Sequence, residues 1–248
     1  MIRVENVHKS YDGQKILDGI SFHIRSGSVT TIIGGSGAGK SVLIRLLIGL
    51  EEPDSGAILF DGKNIVGMKT VELNKIRRRF GVLFQDAALF DSLTVKENVA
   101  FPVREHLRLG EKEIDKIVQQ KLSEVGMSGH EDKFPAELSG GMRKRIGLAR
   151  ALALEPDIVF FDEPTTGLDP IMQAVIFRLI ISTHTVRPST YVLVSHDIQG
   201  VLNISDEIML LYEGKIAAKG TPQEISSSSD PLVYQFITGS PTGPIVVE

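Results

Sequence analysis

The sequence predicts an α/β fold, a parallel sheet with helices on both faces, joined by an antiparallel β piece and a helical insertion. Three observations predict it. Short β-branched, uncharged runs alternate with helical stretches, the order that builds parallel sheets. The first two dozen residues alternate apolar and polar positions about a turn, as antiparallel pairs do. Between about residue 86 and residue 150 the texture changes to amphipathic helix.

In order, Ile2, Val4 and Val7 lead to a turn at Asp12-Gly13 and a returning strand through Ile20, Phe22 and Ile24. Val29 to Ile33 is β-branched throughout and reads as a buried strand, and Val42 to Ile48 as a helix without a breaker. Gly56 to Gly62 is a short strand between turn glycines, and Phe80 to Phe84 is another. Glu111 to Val125 sets Ile114, Ile117, Val118, Leu122 and Val125 at helical spacing. Ser139 to Leu154 is a helix opened by an N-cap serine. Asp157 to Phe161 and Thr190 to Val194 are short apolar strands, and Ile208 to Tyr212 turns at Glu213-Gly214 into Lys215 to Ala218. Ser226 to Ser229 reads as a linker, Pro231 to Gly239 as a short helix, and Ser240 to Glu248 as extended.

The chain of 248 residues is long enough for one large α/β domain. Its net charge of −4 gives no global pull toward nucleic acid. The local runs Arg77-Arg78-Arg79 and Arg143-Lys144-Arg145 read as solvated helix faces. With no cysteine, disulfides, thiolate metal sites and cysteine nucleophiles are excluded. The N-terminus has no signal-peptide pattern and no apolar run is long enough to span a bilayer, so membrane association is expected through a partner.

Between the strand ending at Ile33 and the helix starting near Val42 lies Gly34-Gly35-Ser36-Gly37-Ala38-Gly39-Lys40-Ser41, which fits G-x-x-x-x-G-K-[ST]. Glycines let backbone N–H groups curl around an anion, and the helix N-terminus adds partial positive charge. Lys40 is expected to reach the β- and γ-phosphates of a nucleoside triphosphate and Ser41 to ligate Mg²⁺. An ion pair near 4 Å is worth about 4 kcal/mol at an effective dielectric of about 20, so Lys40 is expected to matter greatly for binding. Asp162-Glu163 follows a strand, where the ligand crevice of an open α/β sheet lies. There Asp162 suits a Mg²⁺ ligand and Glu163 a base for the attacking water. Leu138-Ser139-Gly140-Gly141-Met142 opens a helix and is either a second anion-reading helix end, serving a nucleotide bound on another subunit, or a plain capped start.

With these motifs in order, the chain resembles an ATP-binding cassette (ABC) ATPase subunit over nearly its whole length. The resemblance implies a P-loop NTPase (RecA-like) core with an antiparallel β subdomain and an inserted α-helical subdomain, about 86–150, within an ATPase domain of residues 1–225. Residues 226–248 then form a linker and C-terminal extension. It further implies that Tyr11 stacks on adenine and that Gly34, Gly35, Ser36, Gly37, Ala38, Gly39, Lys40, Ser41 and Val42 hold the phosphates. Gln85 is the Q-loop glutamine, touching Mg²⁺ together with Ser41 and Asp162. Gly167-Leu168-Asp169 is the D-loop and His196 the switch histidine, while the other histidines read as surface or packing residues. Two copies are expected to sandwich two ATP molecules, each between one chain's loop and the Ser139, Gly140 and Gly141 of the other. Departures from the family pattern are Gly35 for proline, Met142 for glutamine and Val42 for threonine; none removes a charge or ligand.

The segments Leu83 to Val95 and Asn98 to Glu105, the Leu-Ser-Gly-Gly-Met signature and the ending from Asp230 to Pro244 resemble the Mla-type ATPases. That resemblance implies a homodimer bound to an MlaE-like permease at the cytoplasmic face of a bacterial inner membrane, acting with an MCE-domain lipid-binding protein. Cofactors would be ATP and Mg²⁺, and the C-terminal tail would contact the neighbouring ATPase subunit. Two other readings are an ABC ATPase of iron–sulfur cluster assembly and a cell-division-type signalling ATPase.

Overall fold

The computed structural model describes residues 1–245. In chain order the elements begin β1 (Ile2–Tyr11), β2 (Gln14–Ile24), β3 (Val29–Ile33), α1 (Lys40–Leu47), β4 (Ser55–Phe60), β5 (Lys63–Asn64) and α2 (Thr70–Arg77). They continue β6 (Phe80–Leu83), α3 (Val95–His106), α4 (Glu111–Glu124), a 3₁₀ turn (Pro135–Glu137), α5 (Gly140–Leu152), β7 (Ile158–Asp162) and α6 (Pro170–Val186). They close with β8 (Thr190–Ser195), α7 (Ile198–Leu202), β9 (Glu207–Tyr212), β10 (Lys215–Gly220), α8 (Pro222–Ser226) and α9 (Pro231–Thr238). Two compact units share these elements: residues 1–69 with 192 onward, and residues 70–191; the chain passes from the second back to the first inside β8. Among the described residues no helix is long and apolar enough to cross a membrane.

In the first unit β1 is the inner strand of an antiparallel sheet ordered β2-β1-β4-β5. Its alternation buries Ile2 and Val4, a register shift at left-handed Asn6 brings Val7 inward as well, and Ile2 lies opposite both Ile24 and Phe60. Asp12 (φ 49°) and Gly13 (φ 81°) make the tight hairpin turn that joins β1 to β2. A second group of strands runs β10-β9-β3. β3 pairs in parallel with β9, Thr30 opposite Glu207, and is buried at all five positions, hence its uncharged, β-branched run. α1 buries Leu43, Ile44, Leu46 and Leu47.

In the second unit β6 pairs in parallel with β7, with Leu83 opposite Phe161. α5 packs on β6 and on α3, α4 and α6. α3 opens with a capping box, in which Thr94 accepts from the Glu97 N–H and Glu97 from the Thr94 N–H. The helical stretch expected over 86–150 is built by α3, α4 and α5.

Four differences from the expectations have physical reasons. Lys144 lies inside the molecule, 6% exposed, so Arg143-Lys144-Arg145 is not a solvated face; α5 turns its middle residue inward. α6, the longest helix, has no sequence counterpart above, because an apolar helix flanked by no charged face shows little amphipathic contrast. Ser226 ends α8, and the Ser226 and Ser227 hydroxyls donate to the Pro222 and Gln223 carbonyls, so half the serine run finishes a helix. Past α9 the chain folds back to Gln235 rather than extending away, up to Ile245. Val246 and Val247 of the tail lie outside the described residues.

Candidate functional site

The first unit holds the glycine loop, Tyr11 and His196. The buried strand β3 delivers the chain to Gly34, where a Cβ would stand 2.5 Å from the Leu211 carbonyl oxygen, so no side chain fits. Gly39 has φ 96° and Ile16 close behind it, and it serves as the N-cap of α1 without a side-chain acceptor. The first turn of α1 contains no acidic residue, which suits an anion at this helix end. The buried Lys40 ammonium donates to the carbonyls of Gly34 and Gly35, both at 2.9 Å, and so lies across the loop it follows. Nothing stands within 4 Å of a Cβ on Gly35, so packing does not demand glycine there.

Tyr11 ends β1 and is 38% exposed. Its hydroxyl donates to the Glu51 carboxylate, which also receives Arg45 Nε at 2.6 Å, and Lys9 Nζ stands 5.1 Å from the ring centroid. The hydrogen bond to Glu51 pushes the Tyr11 hydroxyl above the ordinary tyrosine range and holds the Glu51 carboxyl below the usual carboxylate range. The ring is thus anchored through its oxygen to a residue that also grips α1. His196 follows the end of β8 and is exposed; the next residue, Asp197, caps α7 by accepting from the Gly200 N–H at 3.0 Å.

The second unit holds the other candidates. Because Leu83 pairs with Phe161, Gln85 and Glu163 each lie two residues beyond the same level of the parallel pair. Asp162 is the last residue of β7. Glu163 is 8% exposed, has φ 50°, and accepts from Thr166 Oγ1 at 3.2 Å. A left-handed glutamate is held by its surroundings at a cost, a condition common at functional sites.

Ser139 is the exposed N-cap of α5, accepting from the Met142 N–H at 3.3 Å. Gly140 faces Leu168 of the candidate D-loop, at 3.4 Å from a built Cβ. Gly141 is buried beneath Met172, whose terminal methyl occupies the space a Cβ would need. Asp169 caps α6 by accepting from the Ile171 and Met172 N–H groups, both at 3.0 Å, so the 167–169 turn and the signature glycines are seated against one another.

Sequence reasoning missed Lys144. Its ammonium donates to the Gln85 carbonyl and, at 3.4 Å, to the Glu163 carbonyl. The signal was there: Gly141, Lys144 and Gly147 recur at three-residue spacing, one face of the helix. Missed too was an apolar groove of about 320 Å³, lined by Phe80, Phe84, Phe90, Phe101, Pro102 and Arg150.

The family described as ABC transporter matches residues 17–166. The "Probable ribonucleotide transport ATP-binding protein mkl" of Mycobacterium leprae is 43% identical, over 98% of this chain and 70% of that protein. The "Intermembrane phospholipid transport system ATP-binding protein MlaF" of Haemophilus influenzae is 42% identical, over 99% of this chain and 93% of that protein. Among solved structures, the dimeric post-hydrolysis ATP-binding cassette MJ0796, bound to ADP and Pi, superposes with a TM-score of 0.83 at 30% identity, covering 90% of this chain and 99% of that one.

Proposed function

The chain belongs to the ABC transporter family, and we propose that it is the ATP-hydrolysing subunit of an assembly that moves phospholipid between two membranes. The observation that carries the lipid reading is the likeness to MlaF, which extends over 93% of that protein's length, against 70% for the mycobacterial relative named for ribonucleotide transport. The dimeric cassette bound to ADP and Pi supports a working unit of two copies.

In this reading the triphosphate lies along the N–H groups of residues 34–41, a loop whose Gly34 and Gly39 let it pack closely on Leu211 and Ile16, and Lys40 supplies positive charge. Tyr11, steadied by Glu51, offers its ring to adenine. Ser41, Gln85 and Asp162 are hard oxygen donors of the kind Mg²⁺ takes, and would hold it; the bound ion would neutralise charge on the phosphates. Glu163 draws the proton from the attacking water and His196 steadies the γ-phosphate. Ser139 and the first N–H groups of α5 meet the γ-phosphate held by the second copy, so ATP favours the closed dimer and its hydrolysis releases it. The groove between Phe80 and Arg150 draws its lining from both sides of Gln85 in sequence and suits an apolar segment of a membrane subunit, an MlaE-like permease in the lipid reading, with an MCE-domain protein beyond it.

The test is transfer in reconstituted vesicles. The chain, purified with its membrane subunit, is expected to move a fluorescent phospholipid between donor and acceptor vesicles only with ATP, and to stop with Glu163→Gln. ATP turnover accompanied by uptake of labelled ribonucleotide and no lipid movement would replace this reading with the transport named for the mycobacterial relative.

A further inference from the structure

One helix, α5, holds the backbone of two of the loops just assigned to hydrolysis. An ammonium withdrawn from water needs acceptors, and Lys144 finds the carbonyls of Gln85 and Glu163. Burial pulls its ammonium below the ordinary lysine range, and the carboxylates of Asp86, Glu163 and Asp162 oppose that pull. Two turns further along α5, Arg150 donates to the carbonyls of Ala88 and Ala87, at 2.8 and 2.7 Å. Both alanines are left-handed, Ala87 at φ 61° and Ala88 at 46°, as is Glu163 at 50°. Alanine and glutamate have no intrinsic preference for that region, so the turn 85–88 and the end of β7 keep their shape because something grips them. The helix can reach in because Gly147 lacks a side chain; a Cβ there would be 2.8 Å from Leu83 Cδ1 and 3.0 Å from Ala87 Cβ.

We propose that Lys144 is a positioning residue that sets Gln85 and Glu163 for hydrolysis from the same helix whose N-terminus meets the second copy's nucleotide. The proposal rests on the roles given above to Gln85, Glu163 and Ser139. Its consequence is communication: a shift of α5 when Ser139 engages or loses a γ-phosphate moves Lys144, and with it the backbone of both hydrolysis groups. The lysine acts through backbone carbonyls, so its donors matter rather than its charge.

The test compares Lys144→Met, which keeps length and removes the donors, with Lys144→Gln, whose amide brings two N–H donors without charge. In the assembled complex Lys144→Met is expected to lower kcat about tenfold or more, the effect of losing two buried hydrogen bonds to the loops, while KM for ATP stays within about twofold. Lys144→Gln is expected to recover most of the rate. Amide hydrogen exchange over residues 85–88 and 163–166 should quicken in Lys144→Met and stay near wild type in Lys144→Gln. An unchanged kcat in Lys144→Met, equal loss in both variants, or unaltered exchange would overturn the proposal. If Lys144→Met does not fold, Lys144→Gln decides alone: wild-type exchange and a near-normal rate support the clamp, and a rate as low as that of Glu163→Gln overturns it. Glu163→Gln, assayed beside them, separates the two layers. Wild-type turnover there would sink the assignment of the base, whereas a silent Glu163→Gln beside a fully active Lys144→Met would sink only the clamp.

Discussion

Glu163 occupies a backbone conformation that a glutamate adopts only under constraint, just past a strand whose first four residues are fully buried. The constraint fixes where its carboxylate can go: Thr166 Oγ1 donates to one oxygen, and Lys144 restrains the carbonyl of the same residue. A base so held needs no search at the moment of reaction, and its removal should cost the chemical step rather than binding. Glu163→Gln keeps shape and volume and cannot take a proton. It is expected to bind ATP as the wild type does and to form the closed dimer, with turnover lower by about 10² to 10⁴, the usual range for a general base. Equilibrium binding of ATP alongside phosphate release measures both; wild-type release would refute the role. At this scale most candidates were legible because their chemistry fixes residue type and order: Lys40 and Ser41 after spaced glycines, Asp162-Glu163 after a β-branched run. Lys144 was not, since a lysine between two arginines looks solvated until the helix is rotated to show which side faces in.

Among the elements, α3 shows how an irregular loop is held beside the groove. Asn98 is fully buried, and its amide nitrogen donates to the carbonyls of Phe90, Leu93 and Thr94 at 3.1, 3.1 and 3.0 Å. Its oxygen accepts from the Phe90 N–H at 2.9 Å. One side chain thus reaches four backbone groups of the 90–94 turn and ties down Phe90, whose ring packs against Phe101 at a tilt of 48° with centroids 4.7 Å apart. Asn98→Leu fills similar space and takes the side-chain partner from the Phe90 N–H and the Leu93 carbonyl, while the Phe90 and Thr94 carbonyls keep the N–H groups of Leu93 and residue 98. Each buried unpaired group costs about 1–3 kcal/mol, partly recovered by relaxation, so a loss of about 3 kcal/mol is expected. In a chain of this size that lowers Tm by about 6–12 °C, read by circular dichroism. A fall under about 2 °C would show that the turn has other support. Asn98 has no periodic signature, and α6 too lay outside sequence reasoning: an asparagine's partners come from tertiary packing, and a helix apolar on most sides has no contrast to read. α4 was readable for the opposite reason, with Ile114, Val118 and Leu122 buried on one side of a charged helix.

Across the whole molecule, the proposed cycle asks two copies to close on ATP and to part after hydrolysis, so contacts that favour the dimer outside the nucleotide matter. The C-terminal segment is proposed to supply one. It is an ordered structure rather than a fringe, at least to Ile245. The buried Gln235 side chain donates to the Ile245 carbonyl at 3.0 Å and accepts from its N–H at 2.7 Å, pairing with the chain as a strand would. Gly243 passes so close to Gln235 that a side chain there would collide with it. α9 ends in a left-handed Gly239, which turns the chain back toward that glutamine. Such a fold-back uses two hydrogen bonds and a buried amide to hold the chain at Ile245, and the next side chain to Gln235, Tyr234, remains 58% exposed. Gln235→Ala removes both bonds, and at about 0.5–1.5 kcal/mol each the segment should detach without unfolding the ATPase core. Deleting residues 230–248 should go further, weakening ATP-dependent dimerisation of Glu163→Gln and lowering the yield of assembled complex while leaving the affinity of a single copy for ATP unchanged. Sedimentation with ATP and pull-down of the membrane subunit measure both effects. Assembly and activity equal to the full chain after that deletion would mean the fold-back serves only its own copy.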